Sequence, residues 1–176
     1  MNAEDHLRPQ DIVLVLKLLC HPESTWTYAE AGEHLGQSAS QIFKSASRAA
    51  ASGLLYHPTL QAVPNRAAVT EFMVHGVKYA FPPFRGTMTR GMPTAWAAPP
   101  LNQHFVITDE PPPIWPYAEG SVRGIEFSPL YKTVPEASRH DSKLYELLAL
   151  VDAIRGGRAR EREIAIRELT VRIGPS

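Results

Sequence analysis

The sequence has a single cysteine, no net charge and no long apolar run. A lone Cys20 excludes an internal disulfide framework and most cysteine-based structural zinc sites. The most apolar stretch, residues 12–20, is interrupted by Lys17 and is too short to span a bilayer. The acidic start, with Glu4 and Asp5, and the lack of a small-residue cleavage site argue against a secretory signal. We therefore expect a cytoplasmic protein that does not bind membranes.

Motifs for catalysis, metal binding and cofactor binding are also lacking. The seven histidines are scattered and show no metal-ligand spacing. The sequence contains neither the glycine pattern of dinucleotide-binding folds nor that of phosphate-binding loops. Cys20 ends an apolar helical pattern, which indicates a buried thiol rather than a nucleophile. The sequence therefore predicts no enzyme, no metal and no cofactor.

The neutral charge balance, 18 Lys and Arg against 18 Asp and Glu, argues against nucleic-acid binding by bulk electrostatics. This balance holds for the whole chain but not for every segment. In residues 1–66 all six acidic residues precede Ser38, which leaves Lys44, Arg48 and Arg66 unopposed after it. This pattern predicts that non-specific DNA binding is weak and that tight binding depends on a dimer and on a specific site.

Proline divides the 176 residues, of which 44% are apolar, into three zones. Residues 67–135 hold eleven of the 16 prolines, because only four precede this zone and one follows it. We expect a helical unit at 1–66, a proline-rich irregular α+β segment at 67–135 and a helical hairpin at 136–176. The predicted fold class is mainly α with a small β component.

The first zone carries the most specific pattern, a pair of short helices joined by a tight turn. After a first helix that Pro22 closes, Thr27 with Glu30 and Ser38 with Gln41 form two capping-box patterns. The third helix is expected from Ala39 to about Ser52. The turn positions required by a helix-turn-helix are a small residue at the helix crossing, a residue that tolerates the turn conformation and an apolar anchor. They fall on Gly32, Gly36 and Ile42.

At about 100° per residue, the third helix has an apolar side and an opposite side without any carboxylate. Such a face suits the major groove, where Lys44 and Arg48 can reach phosphate or guanine and Gln41 can read adenine. The bland alternative is a structural or protein-binding three-helix module, since two cations on a helix face are commonplace. The candidate DNA-binding residues are Ser38, Ser40, Gln41, Lys44, Ser47, Arg48 and Arg66.

Two short strands, 54–56 and 61–63, are expected around a turn at His57-Pro58-Thr59 and would form a wing. The segment from His57 to Asn65 has no Lys or Arg before Arg66, so we expect no strong minor-groove contact by the wing.

Further along, we expect a helix from Asn65 to about Val74 and a strand from Val77 to Phe81. Short extended pieces are expected at 104–108 and 122–127. Helices are expected at 141–155 and 158–173.

The proline-rich centre can be an extended arm that wraps a partner, or an irregular layer packed on its own domain. We rank the irregular layer higher. The apolar stripe from Leu144 to Ile154 must be buried on the N-terminal core or against a second copy.

Residues from about Arg8 to Leu55 resemble the winged-helix DNA-binding half of bacterial MarR-like regulators. The segment TWTYAEAGEHLGQSASQIFKSASRAAASGLL carries the likeness. The layout of a winged helix followed by a longer domain is also similar to the AbiEi-type antitoxins of type IV toxin–antitoxin systems. In those proteins the N-terminal domain binds the operon's promoter and the C-terminal domain serves antitoxicity.

The sequence thus favours a dimeric, sequence-specific winged helix-turn-helix regulator of transcription, with an antitoxin-like autorepressor as a special case. Its partners would be double-stranded DNA and a second copy of the chain, with a toxin-like protein as a further candidate. The alternative is a protein-interaction module that holds a protein partner without DNA.

Overall fold

An apolar helix, α1 (Pro9–Cys20), lies in the centre of the fold, and all of its residues from Asp11 onwards are buried. The structure, a computed structural model, describes residues 6–61, 63–106 and 108–174 and is a mixed α+β protein. Helices α2 (Tyr28–Leu35) and α3 (Ala39–Ala51) follow α1 and pack on each other, and α3 also packs on α1. The three helices predicted for the first zone are therefore present.

The next helical segment is longer than the sequence predicts. It begins with α4 (Arg66–Glu71), capped by Asn65, continues through a π-helical turn (Phe72–Gly76) and ends with α5 (Val77–Ala80). The predicted strand from Val77 to Phe81 is thus wrong. Val69, Met73 and Val77 are fully buried and four residues apart, so they form one apolar stripe that continues the helix.

Three strands form the sheet: β1 (Arg85–Pro93), β2 (Pro113–Pro116) and β3 (Val122–Phe127). Strand β1 pairs antiparallel with both others, with Met92 opposite Trp115 and Thr89 opposite Gly124, whereas β2 and β3 pair in parallel. The bounds of β3 confirm the extended piece predicted at 122–127. The extended piece predicted at 104–108 is not a strand in its described residues, and Ile107 lies outside them. A 3₁₀ turn (Leu101–Gln103), closed by the His104 N–H on the Leu101 carbonyl, redirects the chain there.

Three helices complete the fold, namely α6 (Val134–Arg139), α7 (Ser142–Gly156) and α8 (Ala159–Ile173). The last two confirm the predicted helical pair. Helix α7 contacts α1, α5, α6 and α8, and its apolar stripe is buried within the chain itself. A dimer would therefore have to use another surface.

A buried polar network attaches the sheet to α7. Asp152 accepts hydrogen bonds from the Thr94 hydroxyl (2.8 Å), the Trp115 indole (2.6 Å) and Arg155 (2.6 Å). Burial raises the pKa of the Asp152 carboxyl, and these three donors oppose that rise. The apolar core itself is shared by all three sequence zones. No helix among the described residues has the length and apolar character needed to cross a membrane.

Candidate nucleic-acid interface

Both helices of the predicted helix-turn-helix begin with a capping box. At the start of α2 the Thr27 N–H donates to Glu30 Oε2 (2.8 Å) and the Glu30 N–H donates to Thr27 Oγ1 (3.2 Å). At the start of α3 the Ser38 N–H donates to Gln41 Oε1 (2.8 Å) and the Gln41 N–H donates to Ser38 Oγ (3.2 Å). Hydrogen bonds from the backbone N–H and the hydroxyl of Thr27 lower the pKa of the Glu30 carboxyl. The capping patterns read from the sequence are therefore confirmed.

The turn between α2 and α3 has the geometry that its residues predict. Gly36 adopts the left-handed conformation, with φ of 64°, and ends α2. A Cβ on Gly32 would lie 2.4 Å from the Gln37 carbonyl oxygen, so only glycine fits where the chain crosses this helix. Ile42 is fully buried and anchors α3 in the core. Helices α2 and α3 and the turn between them (residues 27–52) thus have the local features that the helix-turn-helix prediction requires, and this segment is the predicted helix-turn-helix unit.

Most of the predicted DNA-binding residues lie on the exposed side of α3. Ser38, Ser40, Gln41 and Lys44 are exposed, and Ser47 is half-buried with its hydroxyl donating to the Phe43 carbonyl. Lys44 forms no salt bridge within the part of the chain that the structure describes. This face carries hydroxyls, an amide and a lysine but no carboxylate.

Arg48 is the exception, and its predicted place on the outer face is wrong. Its side chain is only 8% exposed because Nε and Nη2 donate to the two carboxylate oxygens of Asp11, at 2.8 and 2.6 Å. The Asp11 carboxylate is fully buried on α1. A helix wheel considers one helix alone, so it could not show that an acid 37 residues earlier would draw Arg48 inward. Arg48 therefore fixes α3 against α1 and is not available to DNA in this structure.

One exposed side chain of α3 is aromatic, and the helix wheel did not place it on the outer face. Phe43 on α3 is 52% exposed and lies on the same side as Ser40, Lys44 and Ser47. Its ring packs edge-to-face against Tyr28 on α2, with ring centroids 5.6 Å apart. The helix wheel assigned Phe43 to neither side of α3. A check of which turns of α3 already have an apolar anchor could have found it.

Arg66 does not join the α3 face through its side chain. It is half-buried at the start of α4, and its guanidinium donates to the Ile173 carbonyl at the end of α8 (3.3 Å). In the predicted wing the described residues show a single antiparallel bridge, Leu55 with Pro64, rather than two strands. Ala62 lies outside the described residues. The Tyr28 hydroxyl donates to the Pro58 carbonyl (2.9 Å) and so holds this loop against α2.

Contacts of α2 and α1 attach the N-terminal zone to the C-terminal part of the chain. The Thr133 hydroxyl donates to the Leu35 carbonyl in the last turn of α2 (2.6 Å). Asp141, the N-cap of α7, accepts hydrogen bonds from Lys17 (2.6 Å) and His21 (2.8 Å). Burial alone would raise the pKa of Asp141, but donation from Lys17, the Leu144 N–H and His21 outweighs it and lowers the pKa.

These internal pairs change the charge that the N-terminal unit presents to solvent. Among the described residues from 6 to 66, the Arg48–Asp11 and Lys17–Asp141 pairs are buried. The remaining cations are Arg8, Lys44 and Arg66, and the remaining acids are Glu23, Glu30 and Glu33. Three charges of each sign give no general attraction for a polyanion, so any DNA contact must rest on local groups.

The described residues contain no group of three or more His, Cys, Asp and Glu side chains placed to hold a metal ion. Burial, followed by the nearby Asp141 carboxylate, raises the pKa of the Cys20 thiol to about 12, so the thiol is protonated at neutral pH. Comparisons of the chain with protein-family models, with curated proteins and with solved structures found no match.

Proposed function

We propose that this chain binds double-stranded DNA by placing α3 in the major groove. The observation that carries the proposal is a pair of capped helices joined by a tight turn, whose second helix exposes a face without any carboxylate. The major groove of B-DNA is about 12 Å wide and admits one α-helix. In this binding geometry the N-terminal residues of the second helix contact base edges, and the first helix crosses the DNA backbone.

The hydrogen bonds of the structure suit the exposed side chains to different roles. Lys44 forms no salt bridge with any described residue, and its ammonium can donate to a phosphate or to guanine O6 and N7. Gln41 keeps Oε1 on the Ser38 N–H, so its amide N–H groups are the part left to donate. Bidentate reading of adenine by Gln41 would require Oε1 to accept a second hydrogen bond or to release the Ser38 N–H. Ser38, Ser40 and Ser47 would add short contacts to phosphate or bases.

The balanced charge of the N-terminal residues suggests how such DNA binding would be used. A protein with balanced exposed charge binds random DNA weakly, and its occupancy then depends on a specific site and on two copies that share a palindrome. We propose a dimeric transcriptional regulator that acts by occluding a promoter, with an antitoxin-like autorepressor as a special case. Because the apolar stripe of α7 is buried within the chain, the dimer would form through other surfaces.

Selection from a pool of random-sequence duplexes tests the proposal even though the DNA site is unidentified. The full chain is incubated with the pool at a fixed salt concentration, bound duplexes are amplified over several rounds, and the enriched sequence is titrated. The proposal predicts one enriched motif that is bound more tightly than a scrambled duplex of the same composition. A pool that stays random after several rounds would contradict it.

A second candidate function is binding of a protein partner without DNA. Large apolar side chains outside the helix-turn-helix unit favour it, since Val106 is 84% and Val171 85% exposed. Under this function, Val171→Glu on α8 would release a co-purifying partner, such as a toxin-like protein, whereas Lys44→Glu would not. The opposite pattern, or a partner that both variants retain, would contradict it.

A further inference from the structure

Phe43 is an exposed aromatic residue at the edge of the face that would meet DNA, on the side of α2. It is 52% exposed although it lies within a 13-residue helix, between Ser40 and Ser47 on the same side. Both neighbours are short, so they do not cover the ring. Lys44 follows it directly in the chain and is also exposed. An apolar ring therefore projects from a polar surface whose charged group is a cation.

The ring is held in place before any ligand binds. Tyr28 packs against it at an interplanar angle of 84°, which is the favourable edge-to-face arrangement. Tyr28 in turn is fixed by its hydroxyl on the Pro58 carbonyl. A side chain that is ordered in the free protein loses less conformational entropy on binding. Phe43 is therefore a preorganised contact and not a freely rotating surface residue.

We infer that Phe43 contacts the C5-methyl group of a thymine in the major groove and so selects an A·T pair at one position of the site. This inference rests on the proposed DNA binding. Thymine alone among the four bases presents a methyl group in that groove, and phenylalanine is one of the side chains that contact it. The neighbouring Lys44 suits an adjacent phosphate, and the absence of carboxylates on the face avoids repulsion from the backbone.

Removing single methyl groups from the DNA tests this contact directly. The enriched duplex is synthesised with one thymine at a time replaced by deoxyuridine, which pairs identically but lacks the methyl. We expect one position where the wild-type chain binds about fourfold more weakly, the loss that corresponds to one buried methyl group. Phe43→Ala should bind the thymine and deoxyuridine duplexes equally at that position.

Two further variants complete the design. Phe84→Ala removes a comparably exposed phenylalanine, 65% exposed, outside the helix-turn-helix unit, and should keep the wild-type sensitivity to the methyl. Phe43→Gln keeps side-chain methylene groups beside Tyr28 and replaces Phe43→Ala if that variant melts at a lower temperature. It should also lose the sensitivity.

The outcomes separate the inference from the function on which it rests. If no duplex is enriched, the proposed function and the inference both fail. If the wild-type chain binds an enriched duplex but is indifferent to every methyl, only the inference fails. It also fails if both Phe43 variants keep the wild-type sensitivity, which would assign the methyl contact to another residue. Capture of a protein through Phe43, with unchanged DNA affinity of its variants, would likewise overturn it.

Discussion

Arg48 on α3 donates two hydrogen bonds, of 2.8 and 2.6 Å, to the buried carboxylate of Asp11 on α1. The fork of a guanidinium matches a carboxylate in this bidentate way and fixes both distance and orientation. Asp11 also accepts the backbone N–H of Arg8 at the start of α1 (2.8 Å). One ion pair therefore sets how α3, and with it the candidate reading face, is held on the rest of the molecule.

The Arg48–Asp11 pair predicts a large difference in stability between two neighbouring cations. Arg48→Met leaves the Asp11 carboxylate buried without its partner and should lower the free energy of unfolding by about 3–5 kcal/mol. Lys44→Met removes an exposed charge and should change it by less than about 0.5 kcal/mol. Urea unfolding measures both. Adding Asp11→Asn to Arg48→Met should recover part of the lost stability. Equal effects of Arg48→Met and Lys44→Met on the free energy of unfolding would contradict the structural role of Arg48.

The Lys17–Asp141 pair predicts a stability difference that depends on pH. Asp141→Asn keeps a side chain able to cap α7 but leaves the Lys17 ammonium buried without a counter-charge, which should cost about 3 kcal/mol at pH 7. The folded-state pKa of Asp141 lies below its ordinary value of 3.8. Its contribution is therefore complete above that pH and is lost as pH falls through the folded-state pKa.

Thermal melting of wild type and Asp141→Asn as a function of pH checks this behaviour. The difference between their melting temperatures should be constant near neutrality and should shrink below pH 3.8. A difference that stays constant down to about pH 2 would contradict the charged role of Asp141.

Gly36 and Gly53 provide a matched test of the turn geometry. Both have left-handed backbones, with φ of 64° and 77°, so alanine at either position costs about 1–2 kcal/mol. A Cβ at position 36 would also lie 3.1 Å from the side chain of Thr133, whereas no described atom lies within 4 Å of one at position 53. Gly36→Ala should therefore destabilise the protein more than Gly53→Ala in urea unfolding. The reverse order would show that the turn does not pack on Thr133.

The single cysteine predicts slow reaction with thiol reagents. Cys20 is buried and its pKa is raised to about 12, so little thiolate is present and access is limited. In the native protein at mildly alkaline pH, labelling by a coloured disulfide reagent should be far slower than in urea. Rapid stoichiometric labelling of the native chain would contradict the packing of α1 against α7.

Local signals determined how much could be predicted from the sequence. Both capping boxes, the turn at Gly36 and the bounds of β3 depend on residues close in the chain, and the structure confirms them. The sheet was only partly predicted, because β1 and β2 each contain prolines and pair with strands up to 42 positions away, such as Arg85 with Phe127. Strand pairing at such a distance leaves no local pattern.

The errors have the same origin. The residues from Val77 to Phe81 have strand-like composition, yet packing of Val77 below Met73 and against α7 extends the helix. Arg48 occupies a wheel position next to polar residues, yet a buried acid on another helix turns it inward. Phe43 is a different kind of omission, because the wheel left it unassigned although Ile42 and Ala46 already anchor the same turns of α3 in the core.

Lys44 provides the most direct test of DNA binding by α3. Lys44→Glu reverses the charge on the exposed face without touching a buried contact, and Lys143→Glu makes the same charge change on an exposed residue of α7. Each is titrated against the enriched duplex at one salt concentration, after thermal melting has shown that both are folded. We predict at least about tenfold weaker binding for Lys44→Glu and wild-type binding for Lys143→Glu. Equal affinity of the two variants would contradict the assignment of α3 as the reading helix.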